Sequence, residues 1–220
     1  MESNIQIQKT KDYIQAHFEL ESSGHDWWHI YRVWQLAKMI AQAEGANLFF
    51  VEMAALLHDL DDWKLSEGNN HTPNAILWME KIGLQKAAIE QIQRIIEDVS
   101  FKGAGVDTTP RTTEAKIVQD ADRLDAIGAI GIARTFAYGG HKNRLIYDPK
   151  IEPEMHESFS AYQKSTAPTI NHFYEKLLLL KDRMNTETGQ VIAEKRHQFM
   201  EIFLHQFFQE WTPNPQLLTP

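Results

Sequence analysis

The chain has 220 residues, of which 43% are hydrophobic and 24% are charged, a composition typical of a soluble globular protein long enough to bury a sizeable core. Its net charge of −8 argues against general nucleic-acid binding, and its longest apolar runs are far too short to span a bilayer. Because the chain has no cysteine, disulfides and thiolate metal sites are excluded, and any metal must be held by histidine and carboxylate side chains.

Helical patterns dominate the first half of the chain. An amphipathic segment over 3–20 precedes a helix that runs to about Glu44 and stops at Gly45. The inner stripe of this second helix has helical spacing and consists of His29, Val33, Leu36/Ala37 and Ile40. Asn47 predicts the start of a third helix over roughly 48–60. Thr72-Pro73 predicts a capped helix start before a short helix that ends at Gly83, and residues 85–100 are again amphipathic.

The second half of the chain is also predicted to be helical. Thr112-Thr113 follows a polar loop and predicts the start of a long helix near 113–137, before an irregular stretch over 138–153. Two long helices are predicted over about 167–184 and 187–210, joined at Asn185-Thr186. We therefore predict one all-α domain over 1–220, a helical bundle with a C-terminal extension at about 154–210 and a Pro-rich tail at 212–220.

The third predicted helix ends in an unusual stretch, "AALLHDLDDWK" (54–64). His29 and His58 each lie on an inward face, where a lone histidine is more often a core residue than a ligand. Asp59 is different, because a carboxylate beside a buried histidine costs several kcal/mol unless it is paired or bound to a metal. A His-Asp dipeptide offers nitrogen and oxygen ligands that suit a divalent ion.

A second unusual stretch, "IVQDADRLDAIGAIG" (117–131), puts Asp120, Asp122 and Asp125 into an otherwise apolar helix. Aspartates in such a helix require a cation or hydrogen-bond donors nearby. Two apolar helices therefore bring carboxylates inward, while a third brings an inward histidine. Two imidazoles and two carboxylates would leave positions open on a divalent ion for water and substrate oxygens.

The ordered set His29, His58-Asp59 and Asp122 resembles the signature of the HD superfamily of metal-dependent phosphohydrolases. The flanking words "SGHDWWH" (23–29), "LLHDLDDWK" (56–64) and "DADRLDAIGAIG" (120–131), together with "HFYEKLLLLKDRMNTETGQ" (172–190), are similar to small bacterial HD-domain hydrolases of the YedJ/YpgQ type. The resemblance covers nearly the whole chain and implies a helical bundle of the HD-domain type.

The resemblance also implies roles for individual residues. The positions that match the family's metal ligands are His29, His58, Asp59 and Asp122. Asp62 matches an acid thought to assist the water or the leaving group, with a solvent-exposed acid as the alternative interpretation. Asp61 and Asp125 are weaker candidates, for capping or for supporting the ligands. The implied cofactor is one divalent ion, above all Mn²⁺ or Mg²⁺, with Fe, Ni, Co and Zn as other options.

The implied substrate is a nucleotide or related phosphoester. Proteins of the YedJ/YpgQ type are linked to nucleoside triphosphate hydrolysis that releases pyrophosphate, which is our leading expectation. A nucleoside monophosphatase or a guanosine polyphosphate hydrolase is the alternative within the class. Candidate partners of the substrate, for each of which a solvated surface charge is the competing interpretation, are Lys64, Lys102, His141, Lys142, Arg144 and Lys176. His25 is a further candidate, with helix capping by Ser22/Ser23 as the alternative explanation of its loop.

Two functions of other classes stay open at this point. A dinuclear-iron oxygenase needs additional histidines between Asp59 and Asp122, where only His71 occurs. A non-catalytic nucleotide-binding regulator would use the metal only to anchor its ligand. We expect a cytoplasmic protein that does not bind nucleic acid or membranes, with a homodimer among the expected assemblies.

Overall fold

The structure, a computed structural model, describes residues 2–19, 26–61, 73–99, 109–154 and 166–212. Its elements are α1 (Glu2–His17), α2 (Trp27–Glu44), α3 (Leu48–Leu57), α4 (Asn74–Lys81), α5 (Lys86–Val99), α6 (Thr113–Asp125), α7 (Gly128–His141), α8 (Asn171–Glu175), 3-10 turns at Leu177–Leu179 and Lys181–Arg183, and α9 (Glu187–Trp211). Within these described ranges no residue is in a strand. The predicted all-α, single-domain bundle is confirmed.

Helix α2 lies at the centre of the bundle, where it packs against α3, α6 and α9. Its predicted inner stripe is buried, and His29, Val33, Ala37 and Ile40 are each at most 1% exposed. Helix α3 is buried on every side from residue 51 to residue 57 and contacts α1, α5 and α6. Apolar burial on this scale is the main driving force for packing the three helices together. The packing brings the first turn of α2, the end of α3 and the last turns of α6 close to one another.

Helices α2, α3 and α6 each begin at a residue whose side chain caps them. Asp26 caps α2, Asn47 caps α3 and Thr112 caps α6, each by accepting a hydrogen bond from a backbone N–H of the first turn. Gly45 ends α2 with a φ of 69°, a left-handed conformation that costs glycine nothing. The predicted end of α2 and the predicted start of α3 are confirmed within one or two residues. The end of α3 was predicted near residue 60, but the helix ends at Leu57.

The start of α4 differs from the prediction. Pro73 occupies the cap position and makes no side-chain cap, while Thr72 lies outside the described residues. The carboxylate of Asp61 accepts hydrogen bonds from the backbone N–H groups of Asn74 at 2.7 Å and Ala75 at 2.9 Å. Asp61, from the turn that follows α3, therefore caps α4, which is one of the two roles that the sequence left open for it.

The predicted long helix over 113–137 is wrong in its continuity. The chain breaks after Asp125 and restarts at Gly128, whose φ of 77° lies in the left-handed region. The second piece runs on to His141, into the stretch predicted to be irregular. A left-handed residue cannot continue a right-handed helix, so α7 leaves α6 in a new direction.

The helix predicted over 167–184 is also wrong. Only Asn171–Glu175 is α-helical, and two 3-10 turns follow. Lys176 breaks the α-helix with a φ of −145°, and the buried Leu177 and Leu180 then lie three residues apart, the repeat of a 3-10 helix. The next helix, α9, begins beyond Asn185-Thr186 as predicted, with Thr186 as its cap.

Gly128→Ala is expected to lower the free energy of unfolding by about 1–2 kcal/mol. An alanine pays that cost in a left-handed conformation, and its Cβ would lie 3.0 Å from Cγ of Arg196. Gly140→Ala is the matched control in the same helix, because its Cβ would meet nothing within 4 Å. That control should be neutral or stabilising by up to about 1 kcal/mol. Urea denaturation measures both, and equal effects would contradict this account of the break.

Among the described residues, no helix combines the length and the apolarity required to cross a bilayer.

Candidate metal centre

The first turn of α2 carries His29, which is 1% exposed. Its Nδ1 lies 2.7 Å from Oδ2 of Asp125. Because an ionised carboxylate only accepts hydrogen bonds, Nδ1 carries the proton and donates it, and the lone pair of the neutral ring is on Nε2. Nε2 in turn lies 3.4 Å from Oδ2 of Asp59 and 3.5 Å from Oδ1 of Asp122.

His58 and Asp59 follow α3 directly, since the helix ends at Leu57 and His58 occupies its C-terminal cap position. Nδ1 of His58 lies 2.8 Å from the carbonyl oxygen of Ala55, to which it donates. Its Nε2 is buried, makes no hydrogen bond among the described residues and lies 3.4 Å from Oδ1 of Asp59. A buried nitrogen in this position is suited to a metal ligand, and the carbonyl fixes the ring that carries it.

The ligand atoms of His29, His58 and Asp59 all lie within 4.8 Å of one another. Two ligand atoms bound at about 2.1 Å to one ion are roughly 3.0 to 3.4 Å apart for right-angled to tetrahedral arrangements. The 3.4 Å separations between Asp59 and each imidazole agree with that range. These three residues, all buried, can therefore hold a divalent ion, and they fit the ion that the resemblance implies.

Asp122 lies at the solvent side of this group. Its side chain is 39% exposed, and its carboxylate approaches Nε2 of His29 from α6. Asp59, in contrast, is 10% exposed at its side chain. The geometry thus has a buried half formed by two imidazoles and one carboxylate, and a more open side next to Asp122.

Negative charge surrounds His29. Burial alone would lower the pKa of His29, but the hydrogen bond with Asp125 and the neighbouring carboxylates of Asp59 and Asp122 raise that pKa to about 9. The pocket thus favours a positive charge at the point where the carboxylates converge. A bound divalent cation satisfies the same preference and takes the place of the proton on His29.

Asp125 is 1% exposed and accepts more hydrogen bonds than the sequence indicated. Besides His29, it accepts hydrogen bonds from Arg32 of α2 and Arg134 of α7. Burial would raise the pKa of Asp125, but these three donors hold it well below its usual range. The acid is therefore ionised and acts as a fixed acceptor for His29.

The two arginines were missed in the sequence. Arg32 had one signal, its spacing of three residues from His29 on the same helical face. Arg134 had none, because a continuous helix would carry it away from Asp125.

The other candidate residues fall into two groups. Four of them lie outside the described residues: His25, Asp62, Lys64 and Lys102. His141 and Lys142 lie at the far end of α7 from Gly128, about 20 Å along the helix axis, and both are exposed. Lys176 follows α8 and is half-buried.

Lys176 belongs to a basic group around His172. The pKa of His172 is lowered to about 3, first by burial and then by the nearby positive charges of Lys176 and Arg144. The guanidinium of Arg144 and the ammonium of Lys142 both lie within 6 Å of the Tyr138 ring centre. This end of the molecule thus combines cations, a neutral histidine and an exposed aromatic ring.

Comparison with known proteins gives consistent matches. A family model of the HD domain matches residues 27–127, which include all four candidate ligands. The chain is 41% identical over 203 residues to Bacillus subtilis YpgQ, covering 91% of each protein. Among solved structures, it is similar to an HD-superfamily hydrolase from Bacillus thuringiensis, with 42% identity, a TM-score of 0.75 and coverage of 96% of this chain and 100% of that one. It is also similar to the structure of Bacillus subtilis YpgQ in complex with ADP, with a TM-score of 0.77, 35% identity in the structural alignment and coverage of 97% and 98%.

Proposed function

This chain belongs to the HD domain family and is a metal-dependent phosphohydrolase, and on that premise we propose that it hydrolyses nucleotides. The leading substrates are nucleoside triphosphates, cleaved between the α- and β-phosphates to release pyrophosphate. The observation that carries the proposal is the convergence of His29, His58 and Asp59, with each imidazole oriented by a hydrogen bond at Nδ1.

The proposed holders of the ion are Nε2 of His29, Nε2 of His58 and the carboxylates of Asp59 and Asp122. When bound, a divalent ion such as Mn²⁺ or Mg²⁺ supplies a water of lowered pKa and polarises a phosphoryl oxygen. Asp125 and the Ala55 carbonyl keep the two rings in the orientation that this binding requires. The exposed side near Asp122 is the side from which a phosphate would enter.

Proton transfer is proposed for Asp62, as the resemblance implies. The water oxygen would form a bond to phosphorus in line with the leaving oxygen while Asp62 accepts the water proton. The bond from phosphorus to the bridging oxygen breaks, and pyrophosphate leaves with that electron pair.

The nucleotide part of the proposal is supported by the relative YpgQ, whose solved structure holds ADP and covers nearly the whole of both chains. Phosphate groups also need cationic partners. Lys176, Lys142 and His141 of the described residues are proposed for that role, together with His25, Lys64 and Lys102 outside them.

A substrate screen tests the proposal. The purified protein is analysed for bound metal, stripped with a chelator, reloaded with Mn²⁺ and assayed with nucleoside mono-, di- and triphosphates and with a guanosine polyphosphate. We expect Mn²⁺-dependent release of pyrophosphate from triphosphates. Release of orthophosphate from monophosphates alone would instead support the monophosphatase function, and pyrophosphate release from a guanosine polyphosphate alone would support the polyphosphate hydrolase.

The same preparation separates the functions of other classes. Nucleotide binding without turnover of any compound would favour the regulator. Two equivalents of iron with oxygen consumption would favour the oxygenase, and either result would overturn the proposal.

A further inference from the structure

The carboxylate of Asp125 joins three side chains from two helices. Oδ2 lies 2.7 Å from Nδ1 of His29, 3.0 Å from Nη2 of Arg32 and 2.6 Å from Nη1 of Arg134, while Oδ1 lies 2.6 Å from Nε of Arg32. Charge-assisted hydrogen bonds of this length are the strong ones. One oxygen therefore serves both the metal-ligating histidine of α2 and an arginine of α7.

The contact of Arg134 depends on the break between α6 and α7. Arg134 follows Asp125 by nine residues, which in a continuous helix would separate them by about 13.5 Å along the axis. That distance is beyond the span of an arginine side chain. The turn at Gly128 redirects α7, so that Nη1 of Arg134 reaches back to the carboxylate.

Arg134 also lies outside the part of the chain that the HD domain model matches. The match ends at residue 127, whereas His29, Arg32 and Asp125 lie inside it. The Asp125 carboxylate, which orients His29, thus accepts hydrogen bonds from Arg32 inside the matched region and from Arg134 in the helix that follows it.

We propose that Arg134 is a positioning residue for the metal centre, which acts through Asp125 to hold the His29 ring with Nε2 directed at the ion. This inference rests on the proposed metal centre. Arg32 contacts both oxygens of Asp125, but Arg32 lies on α2, the same helix that carries His29. Arg134 contacts the Asp125 carboxylate from α7. A shift of α7 relative to α2 would therefore move the carboxylate, change the orientation of the His29 ring and so change the affinity for the metal.

The test compares Arg134→Gln, Arg134→Lys and Arg196→Gln with the wild-type protein. Arg196 is the matched control, because it is a half-buried arginine at the same junction but donates to the carbonyl of Leu124 rather than to the Asp125 carboxylate. Two quantities are measured without substrate: the affinity for Mn²⁺ in competition with a chelator, and the visible d–d spectrum of the Co²⁺-loaded protein. The spectrum reports ligand geometry, which a general loss of stability does not change.

We expect Arg134→Gln to weaken Mn²⁺ binding about tenfold or more and to shift the Co²⁺ bands, as loss of ligand-orienting groups does elsewhere. Arg134→Lys should recover part of both, and Arg196→Gln should match the wild type. Wild-type affinity and spectrum in Arg134→Gln, or an equal loss in Arg196→Gln, would overturn the role of Arg134. If Arg134→Gln does not fold, the spectrum of Arg134→Lys decides in the same way. A wild-type protein that binds neither ion would overturn the metal centre itself.

Discussion

Asp59→Ala is expected to abolish metal binding and to lower kcat/KM for phosphoester hydrolysis about a thousandfold or more. Asp59 is the only carboxylate among the three buried members of the site, and it lies 3.4 Å from Nε2 of both His29 and His58. Its removal leaves two imidazoles and the partly exposed Asp122 to hold the ion. A metal ion supplies several kcal/mol of transition-state stabilisation, which corresponds to the expected loss.

Asp98→Ala is the control for this substitution. The Asp98 side chain is also 10% exposed and also paired, but with Arg111 and not with a candidate ligand. Metal content by elemental analysis and steady-state hydrolysis should both be unchanged in this control. If Asp59→Ala retained metal and activity, the site would be assigned wrongly.

The second large effect is expected for Asp120→Ala, on stability rather than on metal content. Asp120 is completely buried and accepts hydrogen bonds from the backbone N–H and side-chain amide of Asn185, and from the backbone N–H and hydroxyl of Thr186. It therefore holds the start of α9 against α6. An alanine would leave several buried donors unsatisfied, and we expect a loss of about 3–5 kcal/mol in the free energy of unfolding.

Chemical denaturation measures this loss, with two comparison variants. Asp120→Asn keeps an acceptor oxygen but brings an NH₂ group toward the same donors, so an intermediate loss is expected. Asp182→Ala changes an exposed acid near the same turn and should stay within about 0.5 kcal/mol of the wild type. Loss of metal in Asp120→Ala without loss of stability would contradict the structural role.

Local signals in the sequence account for several helix ends. Gly45, Asn47, Thr112 and Thr186 act through their own backbone conformation or through N–H groups two or three residues away, which is information that a short stretch contains. The break before Gly128 could not be predicted in this way. A glycine in an apolar, small-residue helix is equally compatible with close helix packing. The turn permits the tertiary contact of Arg134 with Asp125, and a short stretch of sequence does not contain that information.

The helix predicted over 167–184 failed for a related reason. A run of four leucines favours an α-helix by propensity, but at Leu177–Leu180 burial follows a spacing of three. Tertiary packing decided between the two helix types there, and a single sequence does not record that packing.

The site residues differ in the same way, because some could be predicted from local patterns while others depend on tertiary contacts. The convergence of His29, His58 and Asp59 followed from helix faces and from an ordered set of residues, and the structure brings those three together. The buried Asp120 was seen to need a cation or donors, and donors from α9 satisfy it. The partners of Asp125 come from positions as far as 96 residues away, and no local pattern connects them.

The two histidines of the site are anchored in different ways, and this difference has an evolutionary consequence. The anchor of His58 is the main-chain carbonyl of Ala55, which every amino acid at that position would present. The anchor of His29 is the side chain of Asp125, which mutation can replace, weaken or recharge together with its arginines. Selection for a different metal ion, or for slower or faster release of that ion, can therefore change the orientation of the His29 ring in small steps through substitutions around it. The orientation of the His58 ring stays the same. We expect the diversity among such sites to accumulate around one ligand and not the other.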